Sequence, residues 1–296
     1  MLQHKEKLEN KSWEKSIRKE IGKIKPYIPG KPIKEVKEEL DLDRVIKLAS
    51  NENPLEVSKK VKNALSKEIS NINLYPDGAT RSLRRKLSQK FDLDQEMITV
   101  GNGSDGLLKV IAETFLDKDS QVIISYPSFV EYKFVSQLMG SHIIRVWMRN
   151  YQQNFKGIIN ACSSKTNMIF LTNPDNPTGT SFGRDALEEL LESLPENVIV
   201  VLDEAYHEYV QREDYPDGME YVKAGYPVIV LRTFSKAYGL AGLRLGYAVS
   251  NPEIRTLLMK ARDPFNVNRL AEAAGVAVLE DNKFLQESIT VNENGK

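Results

Sequence analysis

The chain is predicted to be an α/β protein built on a mostly parallel sheet wrapped by helices. Short runs of branched apolar residues recur at 98–100, 122–124, 143–147, 168–171, 198–202, 228–231 and 245–249. Most of these runs lack polar alternation, so both of their faces must be covered, as in a parallel sheet. Between them the pattern turns helical, and regular strand–helix alternation is the signature of such a sheet.

Taken in order, residues 1 to about 24 are polar and charged, with Leu8 and then Trp13, Ile17 and Ile21 at helical spacing, a weak amphipathic helix. Lys25-Pro-Tyr-Ile-Pro-Gly-Lys-Pro32 reads as an extended segment, either an arm across another surface or subunit or a plain linker. A charged helix is expected over 33–40. It leads to Val45-Ile-Lys-Leu-Ala49 and the turn Ser50-Asn-Glu-Asn-Pro54. A helix over 58–70 ends before Leu74-Tyr-Pro-Asp-Gly78, a turn by residue type. After a helix over 81–90 and the strand at 98–100, Gly101-Asn-Gly-Ser104 opens a helix with Leu107, Leu108, Ile111 and Phe115 inward. Beyond Pro252 the pattern is helical over 253–260 and 270–280.

Composition narrows the partners. Lys plus Arg equals Asp plus Glu, 41 each, so nothing calls for nucleic acid or an anionic membrane surface. Cys162 is the only cysteine, which fits a reducing compartment. No apolar run has spanning length, and Lys5, Glu6, Lys7 and Glu9 interrupt any apolar leader, so a cytoplasmic protein is expected.

Five features carry chemistry. Arg232-Thr-Phe-Ser-Lys-Ala-Tyr-Gly-Leu-Ala-Gly-Leu-Arg244 reads as a buried strand opening into a loop whose glycines, Gly239 and Gly242, pass close to something. Lys236 at its tip is either a solvated lysine or, if desolvated, an amine nucleophile or Schiff-base partner. Gly101-Asn-Gly-Ser-Asp-Gly106 spells a dinucleotide motif, but that site also needs an acidic residue at the end of the next strand. Ser125-Tyr-Pro127 stands there, so NAD is rejected. What survives is a helix start whose free N–H groups bind a phosphate, with Gly103 and Ser104 at the contact and Asp105 as a possible cap.

Asn173-Pro-Asp-Asn-Pro-Thr-Gly179 is either a surface turn or a rigid loop that presents the Asn176 amide to a ligand oxygen. Asp203 closes an apolar strand, where a carboxylate needs a cationic or hydrogen-bonding partner. A metal is disfavoured, because His207 is the only nearby histidine and no second ligand cluster follows. Taken with Arg244 eight residues beyond Lys236, the set fits pyridoxal phosphate. The lysine takes the aldehyde, the Asp the pyridine nitrogen, Asn and Tyr the phenolate oxygen, and Arg, Ser and the helix start the phosphate.

These motifs, with Ser50-Asn-Glu-Asn-Pro54, Tyr75-Pro-Asp-Gly78 and Asp203-Glu-Ala-Tyr206, occur in one order. From about Trp13 onward the chain resembles the fold type I pyridoxal-phosphate aminotransferases and, within them, the histidinol-phosphate aminotransferase branch. The resemblance implies that Lys236 holds the cofactor as an imine and shuttles a proton at the substrate's α-carbon. It assigns Asp203 to the pyridinium nitrogen, Asn176 and Tyr206 to the phenolate oxygen, and Gly103, Ser104, Ser235 and Arg244 to the phosphate, with Asp105 also counted among the cofactor-binding residues. Phe129 would stack on the ring, unless it is a core phenylalanine. Tyr75 would reach the cofactor of a second subunit in a homodimer, and Tyr27 would meet the substrate's distal phosphate.

The implied domains are an arm with part of a small domain over 1–44, a large cofactor-binding domain over 45–252, and from 253 the start of a smaller α+β domain. That domain is expected to be incomplete, because family members continue beyond the equivalent of Lys296 to an arginine that clamps substrate. Gly106 stands where the family usually has glutamate. The implied reaction converts histidinol phosphate and 2-oxoglutarate to imidazole-acetol phosphate and glutamate, a step of histidine biosynthesis. An aromatic aminotransferase, a phosphothreonine decarboxylase, and a shortened protein that binds cofactor without turnover are the alternatives.

Overall fold

Two apolar clusters, one on each face of a single sheet, organise the chain. The computed structural model describes residues 12–28 and 30–296; Leu8 and the charges at Lys5, Glu6, Lys7 and Glu9 lie outside them. Seven strands, β1 (Ile98–Gly101), β2 (Gln121–Tyr126), β3 (His142–Trp147), β4 (Thr166–Thr172), β5 (Ile199–Asp203), β6 (Val228–Thr233) and β7 (Gly246–Val249), form a sheet in the order β1-β7-β6-β5-β4-β2-β3. β2 through β6 pair in parallel. β7 alone runs antiparallel, between β1 and β6. Its connection from β6 holds a short 3-10 turn (Ala241–Leu243) and no crossover helix, so the chain can only turn back.

The unalternated strands are explained by the two clusters. Ile123, Ile169, Leu171, Val200, Leu202, Val228 and Val230 face one side, while Val122, Ile124, Met168, Phe170, Val201, Ile229 and Leu231 face the other. Successive side chains on a strand point to opposite faces, so a strand covered on both sides must be apolar throughout. The second face is covered by α4 (Gly103–Phe115), α5 (Val130–Met139) and α9 (Pro252–Ala261), through Leu107, Leu108, Ile111, Tyr132, Val135 and Leu258. The first is covered by α7 (Arg184–Ser193) and α8 (Gly218–Lys223), and by α2 (Lys59–Glu68), α3 (Arg81–Phe91) and α10 (Arg269–Leu279). Leu83, Leu87, Ala271 and Ala274 thus belong to one core although they come from opposite ends of the chain. The expected helix over 33–40 is α1 (Ile33–Leu40), and α6 (Phe155–Ala161) lies between β3 and β4.

Two expectations are corrected. In place of one amphipathic helix near the N-terminus there are two 3-10 turns, Ser12–Ser16 and Ile21–Lys23. Trp13, Ile17 and Ile21 are all exposed, so no apolar face is buried to hold a longer helix. At the other end lies a helix that the sequence reading did not anticipate, α11 (Asn282–Gly295). Asp281 caps it by accepting from the Phe284 amide at 3.3 Å, and Phe284 and Ser288, one turn apart, are its buried residues.

Candidate active site

β1, β2, β4, β5 and β6 all end on one edge of the sheet, and the order reverses between β2 and β4, the crevice where open α/β sheets take ligands. The loops there line a small, partly open cavity of about 120 Å³. Ser104, Asp105, Phe129, Asn176, Asp203, Tyr206, Ser235, Lys236 and Arg244 all line it, and Gly103, buried at the first position of α4, precedes Ser104.

Asp203 sits at its floor, only 3 % exposed. Its Oδ2 accepts from the Tyr132 hydroxyl at 2.8 Å and its Oδ1 from the Ala205 amide at 3.0 Å. Burial pushes its carboxyl up to about 6, against the two hydrogen bonds, which lower it. No cationic side chain bonds it among the described residues, so the site offers a buried negative charge to a cation that enters.

The loop after β4 is rigid through its own side chains. The Asn173 amide donates to Phe182 O at 3.3 Å and its Oδ1 accepts from Phe182 N at 3.2 Å, while the Tyr215 hydroxyl donates to Asn173 O at 2.6 Å. Asp175 accepts from the Thr178 amide at 3.1 Å and hydroxyl at 2.7 Å. With these residues engaged in bracing, Asn176 is left to aim its amide at the cavity, where it donates to the Tyr206 hydroxyl at 3.3 Å.

Lys236 follows β6 and is half-buried. Its Nζ donates to Ser50 O at 3.0 Å and lies 5.7 Å from the Tyr206 ring centroid. Burial lowers its pKa, opposed by the charges of Asp105 and Asp203. A partly desolvated amine that is less firmly protonated is what a lysine nucleophile requires. Four residues earlier, the buried Arg232 donates twice to the buried Glu204, at 2.9 and 2.7 Å, and once to the part-exposed Asp217 at 2.7 Å. Of the two glycines beyond Lys236, Gly239 makes the close approach, since a Cβ there would lie 3.1 Å from Phe284; nothing lies near Gly242.

The anion-binding end is the start of α4. Its first turn has no side-chain cap, so the expectation that Asp105 caps it is corrected. Asp105 instead accepts from Arg244 Nη2 at 3.0 Å, drawn by the guanidinium beside it. Arg244 also reaches Ser235 Oγ at 3.5 Å. Gly103, at φ 75°, admits the guanidinium: a Cβ there would lie 2.8 Å from Arg244 Nη2. The uncapped helix start, the serines Ser104 and Ser235 and Arg244 thus line one cavity, the parts that an anion site uses.

Tyr75 and Tyr27 do not join this cluster. Tyr75 is 79 % exposed and stacks on Phe265 at 4.8 Å, and Tyr27, 77 % exposed, lies by Val130 and Phe134 of α5. The structure adds Tyr132, Thr172 and Thr233, which the sequence reading passed over, and joins Asn51, given there no role of its own within Ser50-Asn-Glu-Asn-Pro54, to Tyr206. Tyr132 bridges Asp203 and Thr172 Oγ1, 2.8 Å from each, with its ring stacked on Phe170 at 4.9 Å and edge-on to Phe129 at 5.6 Å. Thr172 is paired in register with Asp203, so the strand-end position that singled out Asp203 also marked Thr172. Tyr132 stands three residues after Phe129 at a helix start, a spacing that puts both on one side.

The family model for aminotransferase class I and II matches residues 43–295. A histidinol-phosphate aminotransferase of Moorella thermoacetica is 48 % identical over 94 % of this chain and 72 % of its own length. One of Bacillus pumilus is 41 % identical over 94 % of this chain and 77 % of its own. The crystal structure of histidinol-phosphate aminotransferase from Sinorhizobium meliloti in complex with pyridoxal-5′-phosphate superposes with a TM-score of 0.86 at 26 % identity, covering 94 % of this chain and 74 % of that one.

Proposed function

The chain belongs to the aminotransferase class I and II family, and from that premise we propose that it moves an amino group between histidinol phosphate and 2-oxoglutarate with pyridoxal 5′-phosphate as cofactor. The observation that carries the reading is one cavity with an amine at its mouth, a buried carboxylate at its floor and an uncapped helix start with an arginine at its side. The cofactor supplies an aldehyde and an electron-accepting pyridine ring. The residues present fit it, because the Asp203 charge lacks a cation and the cradle at Gly103 would be filled by a Cβ.

In this reading Lys236 holds the aldehyde carbon and carries the proton at the substrate's α-carbon, while Asp203, fixed by Tyr132, keeps the ring nitrogen protonated. Asn176 and Tyr206 bond the phenolate oxygen, and Phe129 covers the ring face. Gly103, Ser104, Ser235 and Arg244 hold the phosphate, with Asp105 yielding the guanidinium. Tyr75, exposed beside Phe265, serves a second subunit's site, which makes the homodimer part of the site, and Tyr27 meets the substrate's distal phosphate; the protein works in the cytoplasm. The division at 44/45 and 252/253 goes with this reading, although α10 shares its core with α2 and α3.

Adding pyridoxal phosphate, recording the visible absorption and then adding glutamate tests the reading. A band that forms and is bleached by glutamate is expected, with histidinol phosphate a better donor than phenylalanine or tyrosine. A band that glutamate leaves unchanged would mean a cofactor-binding protein without turnover, and no band would sink the cofactor assignment. Lys236→Ala is expected to lose the band and keep the fold.

A further inference from the structure

We propose that Asn51 is a positioning residue that acts through Tyr206, holding its hydroxyl so that the phenolic proton points into the cavity. The inference rests on the cofactor reading given above. Tyr206 Oη receives two amide N–H groups, from Asn51 at 2.9 Å and from Asn176 at 3.3 Å. A phenol oxygen has two acceptor sites and one proton. With both acceptor sites taken, the proton is left to a group in the cavity, and none of the described residues accepts it.

The segment that carries Asn51 is built to deliver it. Ser50 and Asn51 are consecutive left-handed residues, at φ 72° and 51°, a conformation that costs a non-glycine residue free energy and that recurs where a side chain is aimed at a site. Their geometry sends the Ser50 carbonyl to Lys236 Nζ at 3.0 Å and the Asn51 amide to Tyr206. Two residues on, the Asn53 amide lies against Ala237 O at 3.1 Å, Lys236 O at 3.3 Å and Ser288 Oγ at 2.9 Å, so the segment is pinned to the lysine loop and to α11.

The two amides have different roles. Asn176 stands on the rigid loop and also faces the cavity, so a ligand oxygen competes for its longer bond to Tyr206. Asn51 keeps the shorter bond when Asn176 turns away. An N–H donated to a phenol oxygen polarises the O–H and makes it a stronger donor. In agreement with this, the Asn51 bond lowers the Tyr206 pKa against the rise that burial causes.

The test compares wild type, Asn51→Ala, Tyr206→Phe and the double variant, loaded with pyridoxal phosphate. Two quantities are read: cofactor affinity and the pH midpoint of the visible band. Asn51→Ala is expected to weaken affinity by about three- to tenfold, the worth of one hydrogen bond. It should also move the midpoint in the same direction as Tyr206→Phe by a smaller amount, and add nothing in the Tyr206→Phe background. Asn51→Asp, which keeps the size but offers an acceptor to the phenolic proton, should do at least as much harm.

An Asn51→Ala effect that persists undiminished in the Tyr206→Phe background, or no effect in wild type, overturns the proposal. A wild-type protein that takes up no pyridoxal phosphate would overturn the function reading instead. In that case the cofactor-free protein decides: the Tyr206 ring Cζ carbon signal, assigned by its loss in Tyr206→Phe, must shift in Asn51→Ala at neutral pH, and an unmoved signal overturns the proposal.

Discussion

The Tyr132 hydroxyl lies 2.8 Å from Asp203 Oδ2, although the two residues are 71 positions apart and neither is exposed. Tyr132 comes from α5, Asp203 from the end of β5, and the Thr172 hydroxyl closes the group at 2.8 Å from Tyr132. A buried carboxylate held by an O–H and an N–H stays oriented and more acidic than burial alone would leave it.

Tyr132→Phe is therefore expected to raise the Asp203 pKa beyond about 6. In cofactor-free protein the titration of the Asp203 carboxyl should move to higher pH, and the pH dependence of its side-chain carboxyl carbon signal in wild type and variant checks this. An unmoved midpoint would mean that the Tyr132 hydroxyl does not hold the carboxylate.

Asp203→Asn separates stability from function. Folded Asp203 keeps its proton up to about 6, where the unfolded value is 3.8, so the folded state gains stability as pH falls through this window and forgoes it above. In cofactor-free protein at pH 7 the substitution should stabilise by on the order of 1–3 kcal/mol, measured by denaturant unfolding. Turnover should fall by about 10²–10³-fold, the usual loss of one preorganised electrostatic group.

Glu208 carries a similar cost beneath the site. Its Oε1 is buried without a hydrogen-bond partner, and burial pushes the carboxyl up to about 7 against the pull of Arg232 and Lys90. A raised folded pKa means that stability declines as pH rises from 4.5 toward 7 and stays lower above it. Nearby His207, lowered to about 4, works in the opposite sense between that value and 6.5. Glu208→Gln should raise the melting temperature at pH 8 and leave it nearly unchanged at pH 5, as thermal melts at the two pH values would show.

Two glycines at the anion end should respond differently to a methyl group. At Gly246 a Cβ would meet backbone, Ser104 N at 2.7 Å and Gly103 C at 2.8 Å, which cannot yield without moving the start of α4. At Gly103 it would meet the tip of Arg244, a flexible side chain, on a backbone at φ 75°. Gly246→Ala should cost about 1–3 kcal/mol in unfolding experiments. Gly103→Ala should cost less than that, and show itself mainly as weaker binding of pyridoxal phosphate.

The strands were legible because their pattern is local: a branched apolar run ending in a polar residue needs only its own letters to be read. Lys236, Asp203 and Asn176 were legible for a related reason, since a polar residue at the end of an apolar strand already marks the edge where ligands bind. The two turns at Ser12–Ser16 and Ile21–Lys23 were not, because Trp13, Ile17 and Ile21 have helical spacing but no surface against which to bury it. Tyr132 was missed because nothing in its neighbourhood of the sequence says that a buried phenol will meet a carboxylate from another strand.

The sequence by itself determined the α/β class, the order of the chemical groups along the chain and the family to which they belong, since each rests on residue type and spacing. The tertiary structure alone decided the antiparallel return of β7, the sharing of one core by α10 with α2 and α3, the use of Asp105 as a partner for Arg244 in place of a cap, and the meeting of Asn51 with Tyr206. The physical reason is that these are contacts between segments far apart in the chain. Their distances and hydrogen bonds arise only when the sheet brings several strand ends to one edge.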